Sequence, residues 1–266
     1  MLIVGERINT SRKRMREAVG NWDAGFIKDD ALKQVKAGAM MIDVNCGTFV
    51  SDEVDRMKWL VDIVQEAVDV PLSIDSPNPE ALRVGLEGHR NGRPMINSIT
   101  AEVERMEEVI PLAVEYKALV IALCMGEGGV PTSVDERLKN ASILVEKLTS
   151  SGVPPEDIYI DPIVCPIATD VRNGKIVVET IERVKKEFEG VQTICGLSNV
   201  SYGLPLRKLL NQNFLTMCIA AGLDAVILDP LDSRMISNIY ASEALIGKDD
   251  FCMNYVTAAR EEKLTL

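Results

Sequence analysis

Short apolar runs, most of them ending in one or two polar residues, recur along the chain. Each is followed by a stretch whose apolar positions return every three to four residues. The runs predict strands at Leu2–Glu6, Met40–Asn45, Leu72–Asp75, Met95–Asn97, Leu119–Met125, Ile158–Asp161, Thr193–Ser198 and Ala225–Asp229. The periodic stretches predict helices over Val54–Ala67, Glu104–Tyr116, Val134–Leu148, Val177–Phe188, Leu206–Ala221 and Ser233–Ile246. Helix starts are marked as well. Asn78-Pro79-Glu80 sets a cap, a first-turn proline and an acid in order, and Ser133-x-x-Glu136 has the form of a capping box.

Strands that alternate with helices and are apolar on both faces imply a parallel sheet. Eight such units in a chain of this length predict an α/β fold of the (β/α)8 TIM-barrel class. The polar strand ends at positions 6, 45, 75, 97, 125, 161, 199 and 229 are spaced accordingly. An open doubly wound sheet would carry a glycine-rich phosphate turn after its first strand, where this chain reads Gly5-Glu6-Arg7-Ile8-Asn9. No linker, charge block or low-complexity segment divides the sequence, so residues 1–266 are expected to form one barrel domain.

Composition narrows the function classes. The chain has 266 residues, 47% of them hydrophobic, and a formal charge of −11, which argues against binding a nucleic-acid backbone or an anionic membrane surface. Its longest apolar run, around Ala118–Met125, is too short to span a bilayer, and a predicted strand opens the sequence where a leader would lie. A cytoplasmic location is therefore expected. The six cysteines are scattered without a CxxC pair and the single histidine is His89, so no metal site is expected and the thiols read as small core residues.

Active sites of this fold lie at the C-terminal ends of the strands. There the chain sets Glu6 and Asn9, Asp43 and Asn45, Asp75, Asn97, Met125, Asp161, Ser198 and Asn199, and Asp229. Asp43 lies inside its strand and is expected to support Asn45; Met125 is expected to plug the barrel. No strand ends in His or Lys, and neither a glycine-rich loop nor clustered arginines stand out for a diphosphate. Acids and carboxamides without cations suit a divalent metal or a neutral heterocycle rich in N–H donors. A pterin is such a ring: its 2-amino group and N3–H form a donor pair matched by one carboxylate.

Six segments in order carry a resemblance. Gly5-Glu6-Arg7-Ile8-Asn9, Asp43-Val44-Asn45-x-Gly47, Asp75-Ser76-x-Asn78, Met95-Ile96-Asn97-Ser98, Tyr159-Ile160-Asp161-Pro162 and Gly196-Leu197-Ser198-Asn199-Val200-Ser201 resemble the methyltetrahydrofolate:corrinoid protein methyltransferases. These belong to the wider pterin-binding barrels, and the likeness spans essentially the whole chain. Dihydropteroate synthase is a relative with different chemistry. It needs a Lys at the end of strand seven and an Arg-x-His on the last strand, where this chain has Ser198-Asn199 and Ile227-Leu228-Asp229-Pro230.

The resemblance implies a methyl transfer between N5 of methyltetrahydrofolate and a cobalamin carried by a corrinoid protein partner, in a homodimer. It implies that Asp75, Asn97 and Asp161 hold the pterin, that Gly196 and Ser198 line its pocket, and that Asn199 is the catalytic residue at N5. Tyr202 and Arg207 would meet the aminobenzoyl-glutamate tail. The process served is either acetyl-CoA synthesis or a corrinoid-dependent demethylase system, and the direction stays open. Two other readings also stay open: a Mg²⁺-dependent lyase using Asp43, Asp75 and Asp161, and a non-catalytic pterin carrier.

Overall fold

The structure, a computed structural model, describes residues 1–265. Eight parallel strands close a barrel in chain order: β1 (Leu2–Asn9), β2 (Met41–Asn45), β3 (Leu72–Asp75), β4 (Met95–Thr100), β5 (Leu119–Leu123), β6 (Ile158–Asp161), β7 (Gln192–Gly196) and β8 (Ala225–Leu228). Around them lie α1 (Lys13–Gly20), α2 (Ala24–Lys36), α3 (Glu53–Ala67), α4 (Pro79–Gly88), α5 (Val103–Glu115), α6 (Val134–Ser150), α7 (Asn173–Glu187), α8 (Arg207–Ala220), α9 (Ser233–Leu245) and α10 (Met253–Arg260). The α/β barrel expected from strand–helix alternation is thus the fold found.

Successive residues of a strand face opposite sides, and in this barrel each side has its own role. The outward set, including Ile42, Ile74, Ile96, Val120 and Ile160, packs fully buried against the helices. The inward set begins with a floor of Val4, Met41, Met95, Ile121, Ile194 and Ala225. Above that floor the same faces turn polar, at Asp43 and Asn45 on β2, Asp75 on β3, Asn97 on β4 and Asp161 on β6. An apolar plug therefore carries a polar upper layer.

Two strands are irregular near the mouth. β1 has one extra residue against β2 between Gly5 and Ile8, and β4 has one against β5 between Asn97 and Ile99. Such bulges re-aim side chains, here Glu6 and Arg7 on one strand and Ser98 on the other. A Cβ at Gly5 would run into the buried Gln34 side chain on α2, which would have to give up its place.

Strand ends are where expectation and structure part. β5 stops at Leu123 and β7 at Gly196, so Met125 lies in a loop and Ser198 and Asn199 lie on a 3-10 turn, Leu197–Ser201. The floor plugs the barrel without Met125. Four cysteines are buried as expected, Cys165 is half-buried, and Cys252 is exposed. His89 accepts a hydrogen bond from the Leu72 backbone N–H through Nε2 (3.2 Å), a structural use.

Caps form where the sequence sets them. Asn78 Oδ1 accepts from Glu80 N–H (3.0 Å) and Ser133 Oγ accepts from Glu136 N–H (3.2 Å), while the Glu136 carboxylate reaches back to Thr132 N–H (2.7 Å). Truncating the floor by Ile121→Ala is expected to cost roughly 2–5 kcal/mol in urea unfolding, against about 1 kcal/mol for Asn78→Ala. Equal losses would mean that the barrel interior is not the dominant core.

Candidate active site

Neighbouring strands in register set the first half of the site. Asn45 lies beside Asp75 and Asp75 beside Asn97. Asn45 Nδ2 donates to Asp75 Oδ2 (2.8 Å), leaving Oδ1 of Asp75 free of this bond. One layer down, Asp43 Oδ1 accepts from Ser73 Oγ (2.7 Å) and from Asn97 Nδ2 (3.1 Å). Asp43 therefore supports Asn97 two strands away, not Asn45 as expected. By taking the amide N–H it leaves the Asn97 carbonyl oxygen as an acceptor.

Burial without a paired cation raises these acids. Desolvation pushes the Asp75 carboxyl up to about 6, against the Asn45 hydrogen bond, and drives Asp43 well above the usual range, with Asp75 adding to it. The nearest guanidinium, Arg105 on α5, is occupied by backbone: it donates to the carbonyls of Ser76, Pro77 and Ser98 at 2.8 Å each. Arg105 so fastens the ends of β3 and β4 together. Asp75, Asn97, Arg105 and Met125 line a cavity of about 360 Å³ at the mouth.

Asp161 ends β6 and is 8% exposed. Its Oδ1 accepts from Ile163 N–H (2.7 Å), and burial pushes its carboxyl up to about 7. The turn behind it is held by Arg137 of α6, 1% exposed, which donates to the Pro162 carbonyl (2.6 Å) and the Ser133 carbonyl (3.3 Å).

The other half of the mouth is ionic. Glu6, Ser198, Arg207 and Asp229 line a cavity of about 530 Å³. Arg7 spans Asp30 and Asp229 (both 2.9 Å), and Arg12 reaches Asp229 and Glu6 (both 3.2 Å). The mouth therefore does carry clustered arginines, contrary to expectation. Burial still outweighs Arg12 and raises Glu6. Arg207 donates to the Ser198 carbonyl (2.6 Å) and Ser201 Oγ (3.0 Å), with its guanidinium 5.7 Å from the Tyr202 ring centre.

Asn199 is exposed on its turn, and among the described residues its side chain makes no hydrogen bond. It lines neither mouth cavity. Asn9 turns into its own loop, accepting from Ser11 N–H (2.9 Å). Gly196 sits at the top of β7 with ordinary backbone angles, and a Cβ there would meet nothing within 4 Å. Neither backbone nor packing requires a glycine there.

Sequence reasoning missed Arg7, Arg12, Arg105 and Arg137, and each left a signal. Arg7 lies inside the first motif and Arg12 opens a basic run. Arg105 is a cation in the first turn of a helix, where acids are favoured. Arg137 shares the apolar stripe of α6 with Ala141, Leu144 and Leu148. Among the described residues no group of three His, Cys, Asp or Glu converges as metal ligands, so Asp43, Asp75 and Asp161 do not form the cation site that the lyase reading requires. Rim loops expose single apolar side chains at Val50, Val130, Val171 and Leu206, as does the start of α5 at Val103.

The pterin binding enzyme family matches residues 5–229. A methylcorrinoid:tetrahydrofolate methyltransferase of Eubacterium limosum is 35% identical over 99% of this chain and 98% of its own length. A methionine synthase of Mycobacterium tuberculosis is 35% identical over 85% of this chain, which corresponds to only 20% of that enzyme. Two dihydropteroate synthase structures share the fold. That of Yersinia pestis in a sulfonamide complex has a TM-score of 0.71 at 13% identity, covering 93% of this chain and 94% of its own. That of Xanthomonas albilineans with 7,8-dihydropteroate has a TM-score of 0.68 at 16% identity, covering 92% of each.

The buried acids make stability depend on pH with a definite sign. Between the usual 3.8 and about 7, folded Asp161 keeps a proton that the unfolded chain has released. Its contribution therefore falls as pH rises through that window. Asp161→Asn, whose Oδ1 still accepts from Ile163, is expected to unfold at a higher temperature than wild type at pH 8 and at nearly the same temperature at pH 4. A gap of equal size at both pH values would show that Asp161 is ionised throughout.

Proposed function

Because the chain belongs to the pterin binding enzyme family, we propose that it is a methyltetrahydrofolate:corrinoid protein methyltransferase, moving a methyl group between N5 of the folate and the cobalt of a corrinoid protein. We read the physiological direction as methylcorrinoid to tetrahydrofolate, within a demethylase system. The match to a relative of that activity over nearly the full length of both chains supports this direction. The observation that carries the chemistry is the set of acceptors at half-buried Asp75 and Asn97 and buried Asp161, none of them ion-paired.

Asp75, Asn97 and Asp161 would hold the pterin. The donor pair of the ring suits a carboxylate with an oxygen to spare, and ionisation of Asp161 is completed by the donors it gains. Gly196 and Ser198 would line the pocket beside the ring. Tyr202 and Arg207 would meet the aminobenzoyl-glutamate, where a guanidinium suits a carboxylate. Glu6, Asn9, Asp43, Asn45, Met125 and Asp229 stand in support around the mouth.

Asn199 is the proposed catalytic residue. An amide carries both a donor and an acceptor, so one side chain can pair with N5 whether or not that nitrogen holds a proton. When bound, the corrinoid would supply the methyl group that N5 takes up, and the N5 proton displaced would pass to water at the mouth. This chain holds N5 open toward the mouth and need supply no strong base, in line with the residues present. The apolar side chains exposed on the rim loops fit a protein partner that covers the mouth.

The remaining readings concern setting. No helix among the described residues is long and apolar enough to cross a membrane. We read the protein as cytoplasmic, one barrel domain per chain, working anaerobically because reduced corrinoids are oxygen-sensitive. We also read it as a homodimer; exposed apolar residues toward the C-terminus, with Phe251 95% and Leu245 82% exposed, support self-association.

The test is anaerobic mixing with (6S)-methyltetrahydrofolate and free cob(I)alamin, following loss of the Co(I) absorbance. Enzyme-dependent transfer is expected; folate binding without transfer, even with a corrinoid protein supplied, would favour a carrier. Asn199→Ala should slow single-turnover transfer by about 10²–10³ while changing folate affinity much less. An unchanged rate would remove Asn199 from catalysis. Gly196→Ala should keep the wild-type unfolding temperature but weaken folate binding, and wild-type affinity would place the ring elsewhere.

A further inference from the structure

A cationic groove leaves the barrel mouth across the β8–β1 seam, on a chain whose net charge is −11. Its inner part is the cavity beside Ser198 and Arg207. Its outer part is a second cavity of about 420 Å³ beside Lys13, Arg14 and Lys33. Arg7, Arg12 and Leu231 line both, so the two are continuous. Seven Lys and Arg side chains line the whole groove, against five Asp and Glu.

The inner cations have partners in the protein, Arg12 with Glu6 and Asp229 and Lys208 with Asp232 (3.1 Å). Of the outer ones, Lys33 pairs with Asp29, but Lys13 and Arg14 differ. Among the described residues, the exposed Lys13 and Arg14 side chains make neither a hydrogen bond nor an ion pair. They open α1, whose first turn contains no acid, although a helix start favours acids over cations. The local fold gains nothing from them. An anion reaching them along the groove would.

On the functional reading above, the folate tail leaves past Arg207 into this groove. Each further glutamate joined through a γ-carboxyl adds one free carboxylate, which makes the tail a linear polyanion. A single glutamate is matched at the inner cations near Arg207, whereas an elongated tail is what a groove continuing to Lys13 and Arg14 can hold. We infer that Lys13 and Arg14 form a subsite for the distal carboxylates of a poly-γ-glutamyl folate tail. The groove is concave and opens from the substrate cavity, which favours a flexible tail over the flat acidic face of a protein.

The test compares tetrahydrofolate mono- and pentaglutamate by calorimetry, in wild type and in Lys13→Ala/Arg14→Ala. The pentaglutamate is expected to bind wild type about tenfold tighter at low salt, with the gap shrinking near 0.5 M salt (about a 4–5 Å screening length). In the double variant the gap should fall to about twofold or less, with the monoglutamate affinity unchanged. Lys13→Glu/Arg14→Glu should reverse the preference. Equal affinities in wild type, or a gap that survives the alanine variant, would overturn the inference. So would an intact gap joined to a raised KM for the corrinoid protein, which would assign the two cations to partner docking. Binding of neither folate is a different result: it would overturn the pterin reading itself, and this inference with it.

Discussion

Carboxylates held in a barrel interior by neutral donors are the condition on which the site depends. Asp43, Asp75 and Asp161 sit above the apolar floor, and their hydrogen bonds come from Ser73, Asn97, Asn45 and the Ile163 backbone. The nearby guanidinium groups of Arg105 and Arg137 are turned to main-chain carbonyls instead. Burial then raises all three acids. A carboxylate in that state gains most from a ligand that brings its own N–H donors, and loses little by waiting protonated without one. The same arrangement weakens the free protein as pH rises, so recognition and stability pull in opposite directions at these positions.

The mouth is electrically divided. Over β2 to β6 it offers acids and amides without paired cations; over β7, β8 and β1 it is a lattice of ion pairs built on Arg7, Arg12, Glu6 and Asp229. A ligand with a neutral, donor-rich ring and an anionic tail matches that division end for end. Dihydropteroate synthase shares the fold with this chain at low identity, yet the Lys and Arg-x-His that its phosphate chemistry needs are replaced here by Ser198-Asn199 and Ile227-Leu228-Asp229-Pro230. The barrel is common property, and the side chains at its strand ends separate the reactions.

Rigidity is also unevenly distributed. Asp75, Asn97 and Asp161 stand on strands or at their last position, and the bulge in β4 and the tight turn after β6 are tied by Arg105 and Arg137. Asn199 stands on a 3-10 turn with its amide unengaged among the described residues. Holding a ring needs acceptors fixed within a few tenths of an ångström, which strands provide. On the proposed reading, pairing with N5 calls for an amide free to reorient. Arg207 anchors that turn through the Ser198 carbonyl and leaves Asn199 free.

The sequence by itself determined the barrel, because alternating apolar runs and helical periodicity are local signals repeated eight times, and no other closed layer buries both faces of every strand. It also determined which acids and amides gather at one end: strand-end position is readable from where each apolar run turns polar, as at Asp75, Asn97 and Asp161. What it did not determine is how those groups are paired. Asp43 supports Asn97 and not Asn45 because the contact is made across strands, through a register that no single strand encodes. The arginines of the mouth were equally hidden, since Arg7 meets Asp229 only when β8 closes against β1. Long-range charge pairing and the direction of a side chain at a bulge are properties of the closed barrel. Only the tertiary structure could decide them.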